Sequence, residues 1–122
     1  MKRILIIDDE KDFCFFVKKN LEEESCCSVA VCNNPNDAIA KAKEFHPDLI
    51  FLDVMMPEMD GGDLAELLRA DPEVQFIPIV FLTALVTKDE TKKGLNIIKG
   101  SYFLSKPVTT QELVSAVNEL VK

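Results

Sequence analysis

Apolar residues along this chain fall into two kinds of pattern. Short unbroken runs open at Arg3–Ile7, Ser28–Cys32, Asp48–Leu52, Pro78–Leu82 and Ser101–Leu104. They are rich in Ile, Val, Leu and Phe with little polar alternation, which suits strands buried on both faces. Between them the apolar positions take a helical period. The last stretch is clearest, with Leu113, Ala116, Val117, Leu120 and Val121 at i, i+3, i+4, i+7 and i+8 behind the capping box Thr109-Thr110-Gln111-Glu112. Thr87-Lys88-Asp89-Glu90 reads as a second capping box, and Asn34-Pro35 opens another helix with Pro at its first position. Phe13, Phe16, Val17 and Leu21 make the inner stripe of the first helix, leaving Phe15 outside, and Leu64, Leu67 and Leu68 make that of a later one. The helix expected between Lys88 and Lys99 is weak. Its apolar residues are Leu95, Ile97 and Ile98, and Gly94 interrupts it. It reads either as a moving part or as an ordinary marginal surface helix.

Five strands alternating with five helices predict an α/β domain, a parallel sheet with helices on both faces. A chain of 122 residues suits one domain, 1–122, and can bury a core without disulfide or metal staples. Hydrophobic residues are 48% of it, so it is globular. Lys plus Arg number 14 against 21 Asp plus Glu, a net charge of −7. The basic footprint that nucleic acid demands is missing, so direct binding to DNA or RNA is not expected. No apolar run approaches the ~20 residues of a membrane span, and the N-terminal apolar run meets acid too soon for a signal peptide. A cytoplasmic, membrane-free protein is expected. Cys14, Cys26, Cys27 and Cys32 follow no C-x-x-C spacing and read as small packing residues, not as a redox or metal site.

The chemistry collects at strand ends. The first strand ends in Asp8-Asp9, the third in Asp53, the fourth in Thr83 and the fifth in Lys106. In an open parallel sheet ligands bind outside the carboxyl ends of the strands. Three carboxylates in one crevice raise one another's pKa unless a cation intervenes, and a hard all-oxygen site suits Mg²⁺ shared with a phosphate. Lys106 and Thr83 beside it complete a phosphoryl-binding set, with Asp53, central in the sheet, best placed as nucleophile. The plainer readings are a helix-capping Asp8-Asp9, a turn-starting Asp53, a surface Lys106 and a strand-end Thr83. Each explains one residue; none explains the set. His46, between Phe45 and Pro47, reads as a loop residue.

These residues resemble the receiver domains of two-component response regulators. The similarity runs through Ile4–Glu10, Pro47–Gly61, Pro78–Ala84 and Phe103–Pro107, and covers essentially the whole chain. It implies a doubly wound, flavodoxin-like (βα)5 sandwich with strand order 2-1-3-4-5. It implies that Asp53 is the phosphoacceptor, served by a histidine kinase or histidine phosphotransfer protein. Asp9 would bind Mg²⁺ directly, Asp8 through water, and the Met55 backbone carbonyl would be a further ligand. Thr83 and Lys106 would hold phosphoryl oxygens, Ala84 would leave access, and the Lys106–Pro107 bond would be cis. Thr83 and Phe103 would form the switch, shifting the face of the fourth helix, fifth strand and fifth helix toward a downstream protein. Such a module catalyses only its own phosphoryl transfer and dephosphorylation.

Some residues depart from the family pattern. Phe103 lacks the hydroxyl of a tyrosine, Tyr102 should point to the opposite face, and Lys99-Gly100 stands where Gly-Ala is usual, implying a reshaped turn. Met55 and Leu85 are apolar where many members are polar, implying slower hydrolysis and a longer-lived phosphoryl group. Phe15, beside the acidic site, is a candidate contact for the phosphodonor protein. The competing readings are a pseudo-receiver that binds without phosphorylation, a haloacid-dehalogenase-type phosphatase and an FMN carrier. Met55 stands where the phosphatase needs a second Asp, and Asp8-Asp9-Glu10 would repel the flavin phosphate. With the last helix ending near Lys122, output is expected to come from another molecule.

Overall fold

The structure is a computed structural model that describes residues 1–25, 27–84, 95–98 and 100–121. Six strands form one sheet: β1 (Lys2–Ile7), β2 (Cys27–Cys32), β3 (Leu49–Asp53), β4 (Ile79–Thr83), β5 (Asn96–Ile98) and β6 (Ser101–Ser105), in spatial order β2-β1-β3-β4-β6-β5. The first four and β6 run parallel, each built from one of the five apolar runs. Leaving β5 aside, their order is the expected 2-1-3-4-5. The four α-helices among the described residues are α1 (Lys11–Glu24), α2 (Ala38–Phe45), α3 (Gly61–Ala70) and α4 (Thr110–Leu120).

Alternation along the strands splits the core into two layers. Ile4, Ile6, Phe51, Val80, Leu82 and Leu104 face α1 and α4, while Leu5, Ile7, Ile50, Leu52, Ile79 and Phe81 face α2 and α3. The central strands β3 and β4 are buried at every position, as expected of a doubly covered parallel sheet. Tyr102 packs with the first layer and Phe103 with the second, so the two do lie on opposite faces.

Local signals at helix starts hold. Thr109 and Glu112 cap α4 reciprocally as a capping box, and Leu113, Ala116 and Val117 are its buried residues. Asn34 accepts from the Asn36 amide, and Pro35 opens a short 3₁₀ turn that leads into α2. His46 ends α2 with φ of 53°, in the loop expected for it.

Three expectations need correction. On α1 the core positions are Cys14, Val17 and Leu21, and Phe16 is 39% exposed. Val17 and Leu21 face the core as expected, Phe13 packs partly buried against the same cluster, and Cys14 takes the inward place beside them. On α3, Leu67 is 52% exposed and Ala65 takes the inward place beside Leu64 and Leu68. Residues 96–98, read as helical, form a strand antiparallel to β6, with Ile97 opposite Tyr102 and Ile98 opposite Ser101. The chain reverses through Gly100 at φ 82°, a conformation open to glycine. Leu95, just before β5, is outside any helix and packs on the first layer. The rest of the expected fourth helix, with its capping box and Gly94, lies outside the described residues, as do Leu85, Lys99 and Cys26. Cys14, Cys27 and Cys32 are buried free thiols, and burial first, then the Asp8 charge, pushes Cys14 up to about 12.

Candidate functional site

The carboxyl ends of β1, β3, β4 and β6 lie side by side, because parallel strands all point their last residues one way. Thr83 pairs with Ser105, and the Lys106 amide donates to the Thr83 carbonyl at 2.8 Å. This brings Lys106 to the mouth of the crevice between β1 and β3. The Lys106–Pro107 bond is cis, as expected.

Asp8 is fully buried, and Asp53 and Thr83 are each 5% exposed. One carboxylate oxygen from each of Asp8, Asp9 and Asp53 lies within 4.8 Å of the others. The Lys106 ammonium reaches into this cluster. Its Nζ donates to Asp8 Oδ2 at 2.9 Å and lies 3.6 Å from Asp53 Oδ1. It also approaches Glu10 Oε1 at 3.4 Å and sits 4.5 Å above the Phe13 ring. The other Asp8 oxygen accepts from the Glu10 amide at 2.9 Å, and Asp53 Oδ1 accepts from the Met55 amide at 3.3 Å. Glu10, the residue before α1, makes no side-chain cap there, and the Asp8 carboxylate that takes its amide also takes the Lys106 ammonium.

Four contributors to this geometry escaped the sequence reading. Asn33 Nδ2 donates to the Asp8 carbonyl at 2.9 Å and the Cys14 thiol donates to the same oxygen at 3.4 Å, which fixes the Asp8 backbone. Phe13 supplies the π face under Lys106. Gly61 lies so close to the end of β3 that a Cβ there would run into the Asp53 carbonyl. Only the last carries a signal in the sequence, a glycine at the start of a helix where every residue but proline is a better helix former.

The balance of charge is anionic. Burial, followed by the Asp8 charge, raises the Asp53 carboxyl to about 6, although Lys106 and the Met55 amide pull it down. Burial also opposes the Lys106 ammonium, but the hydrogen bond and charge of Asp8, with Asp53 and Glu10 behind, outweigh it and its pKa rises. One ammonium shared among four carboxylates leaves an excess of negative charge that a hard cation offsets, and the donors are all oxygen. The cluster therefore fits a divalent ion such as Mg²⁺. Beside it, Asp9, Glu10, Val54, Met55, Met56, Pro57 and Asp60 line an open cleft of about 580 Å³. Phe103 stacks on Phe81 with ring centroids 5.3 Å apart, on the same strand pair that carries Thr83 and Lys106.

Five parallel strands in the order 2-1-3-4-5, with an acidic crevice at their carboxyl edge, are the architecture of a receiver-type fold. The model of the response regulator receiver domain matches residues 4–118. The chain belongs to that family. It is 34% identical to the transcriptional regulatory protein PcoR of Escherichia coli over 122 residues, all of this chain and 52% of PcoR. It is 29% identical to protein PilG of Pseudomonas aeruginosa, over 94% of this chain and 84% of that protein. The chain thus spans about half the length of PcoR and most of PilG. Among solved structures, the Francisella response regulator 1452 receiver domain superposes with a TM-score of 0.81 at 29% identity, covering 99% of this chain and 97% of that one. A two-component response regulator from Clostridium difficile gives 0.80 at 30%, covering 98% and 95%. Among the described residues, no helix is long and apolar enough to cross a membrane.

Proposed function

We propose that residues 1–122 form one receiver domain that takes a phosphoryl group onto Asp53 from a phosphohistidine donor and passes the change to a downstream protein. The observation that carries this reading is the Lys106 ammonium lodged between Asp8 and Asp53, at 2.9 and 3.6 Å, inside a cluster of three carboxylates. An Asp53 oxygen attacks phosphorus, the phosphorus–nitrogen bond breaks, and its electron pair leaves on the imidazole, which takes up a proton. A mixed anhydride remains on Asp53. Asp8, Asp9, Asp53 and the Met55 backbone carbonyl would hold Mg²⁺, which when bound neutralises charge on the phosphoryl oxygens. Lys106 turns from Asp8 toward a phosphoryl oxygen a short distance from its present place. The Thr83 hydroxyl, buried at the end of β4, donates to another.

Movement of Thr83 toward the phosphoryl group leaves room beside Phe81 and Phe103. Phe103 is half-buried and swings inward, changing the face made by β6 and α4. The donor is a histidine kinase or a histidine phosphotransfer protein, and Phe15, 68% exposed on α1, is a contact for it. The target is a protein and not nucleic acid, since the chain carries −7, and the setting is the cytoplasm.

Incubation with Mg²⁺ and a small acyl phosphate, followed by intact-mass measurement, tests the chemistry. One added phosphoryl group is expected, absent with EDTA and absent in Asp53→Asn. An unchanged mass under conditions where the chain binds Mg²⁺ overturns the proposal.

A further inference from the structure

The β2 strand forms one edge of the sheet, and its sequence, Cys27-Ser28-Val29-Ala30-Val31-Cys32, has neither charge nor proline. Such an edge is a template for another strand unless something blocks it. Cys32 turns its carbonyl inward, where it accepts from the Asp8 amide. By alternation, Val29 turns its backbone groups outward. Both are occupied. The Val29 amide donates to Glu22 Oε2 at 3.0 Å, and Lys18 Nζ donates to the Val29 carbonyl at 2.8 Å. Lys18 and Glu22 stand one turn apart on α1 and pair with each other at 2.9 Å. The Val29 amide first, and the Lys18 ammonium next, hold the Glu22 carboxyl below its usual range. The two side chains together mimic the backbone of a neighbouring strand.

We infer that β2 is a latent self-pairing edge, kept closed by the Lys18–Glu22 clamp, and that the partner it fits is β2 of a second copy of this chain. The choice of partner follows from the strand itself. An antiparallel pair centred on Val29 sets Val29 against Val29 and Cys27 against Val31, so both copies exchange the same two hydrogen bonds the clamp now makes. The arrangement is two-fold symmetric and closes on itself. Neither strand carries a charge that would face its copy across the pair. The clamp is displaceable, because Lys18 and Glu22 remain 44% and 36% exposed. This inference rests on the sheet edge alone and stands apart from the phosphoryl chemistry.

Sedimentation of the full chain across a concentration series tests it. The native chain and Glu22→Gln, which keeps an acceptor for the Val29 amide, are expected not to pair through β2. The double variant Lys18→Ala/Glu22→Ala is expected to dimerise at least about ten-fold more tightly, with the Val29 amide newly protected from hydrogen exchange. Alanine suits α1, and circular dichroism with a cooperative unfolding transition confirms that the variant folds. Adding Val31→Lys, which places a charge on the edge, should abolish the dimer. A folded double variant that pairs no more tightly than the native chain overturns the inference. So does a dimer in which Val29 stays unprotected, or a native chain that already pairs through β2.

Discussion

The two ends of the parallel sheet carry the same chemical groups and put them to opposite uses. At the amino end, Asp48 Oδ2 accepts from the Arg3 amide at 2.9 Å, and the Arg3 guanidinium donates to the Phe45 carbonyl and lies 4.3 Å above its ring. At the carboxyl end, Asp8 accepts from Lys106, which lies over the Phe13 ring. Both ends therefore hold a carboxylate, a cation and a phenyl face. The difference is water. Arg3 and Asp48 are exposed, so solvent screens them and they act as a staple between β1 and the start of β3. Asp8 and Asp53 are buried side by side, and burial together with the Asp8 charge opposes ionisation of Asp53. A charged cluster becomes reactive through burial and mismatch, not through its composition.

The largest expected effect comes from removing the half-buried cation. Lys106→Met leaves Asp8 and Asp53 facing each other and should lower stability by about 3 kcal/mol in urea unfolding with EDTA, a loss that Mg²⁺ partly restores. An equal loss for Arg3→Ala would break the contrast between the ends.

Next in size is Asp53→Asn. The Asp53 carboxyl titrates near 6 in the folded chain against an ordinary 3.8, so the folded state holds its proton more tightly than the unfolded one. Ionisation of Asp53 then destabilises the fold fully above pH 6 and not at all below about pH 4. Asp53→Asn should therefore raise stability by roughly 2–3 kcal/mol at pH 7.5 in EDTA, and the gain should vanish as the pH falls toward 4. Denaturation midpoints of both proteins across that range measure it. A gain that is flat with pH would point to packing in place of charge.

The smallest effect belongs to the exposed end. Arg3→Ala should cost about 1 kcal/mol or less and show little response to Mg²⁺. Thermal melts with and without the ion sharpen the comparison, since only the carboxyl end should answer to it.

Legibility in the sequence followed the range of the interactions. The capping box of α4, the proline start before α2 and the five apolar runs are local signals, and each appears where its residues place it. The inner stripes of α1 and α3 hold at Val17, Leu21, Leu64 and Leu68 and fail at Phe16 and Leu67. Cys14 and Ala65, not Phe16 and Leu67, meet the sheet, because the space between a helix and a strand is decided by both. Ile97 and Ile98 fit a weak helix by spacing alone. Their strand exists because Ser101 and Tyr102 lie across the Gly100 turn to pair with them.

The sequence by itself determined that Asp8, Asp9, Asp53, Thr83 and Lys106 follow buried strands, and parallel strands must gather such residues at one edge. That follows from chain direction and needs no coordinates. Only the tertiary structure decided how those residues share charge: Lys106 bonds Asp8 more closely than Asp53, Asn33 and Cys14 pin Asp8 from behind, and Gly61 makes room beside Asp53. It alone also laid Lys18 and Glu22 over the edge of β2. These contacts join residues from different elements, and their strength depends on distance and on the exclusion of water, which no local pattern encodes.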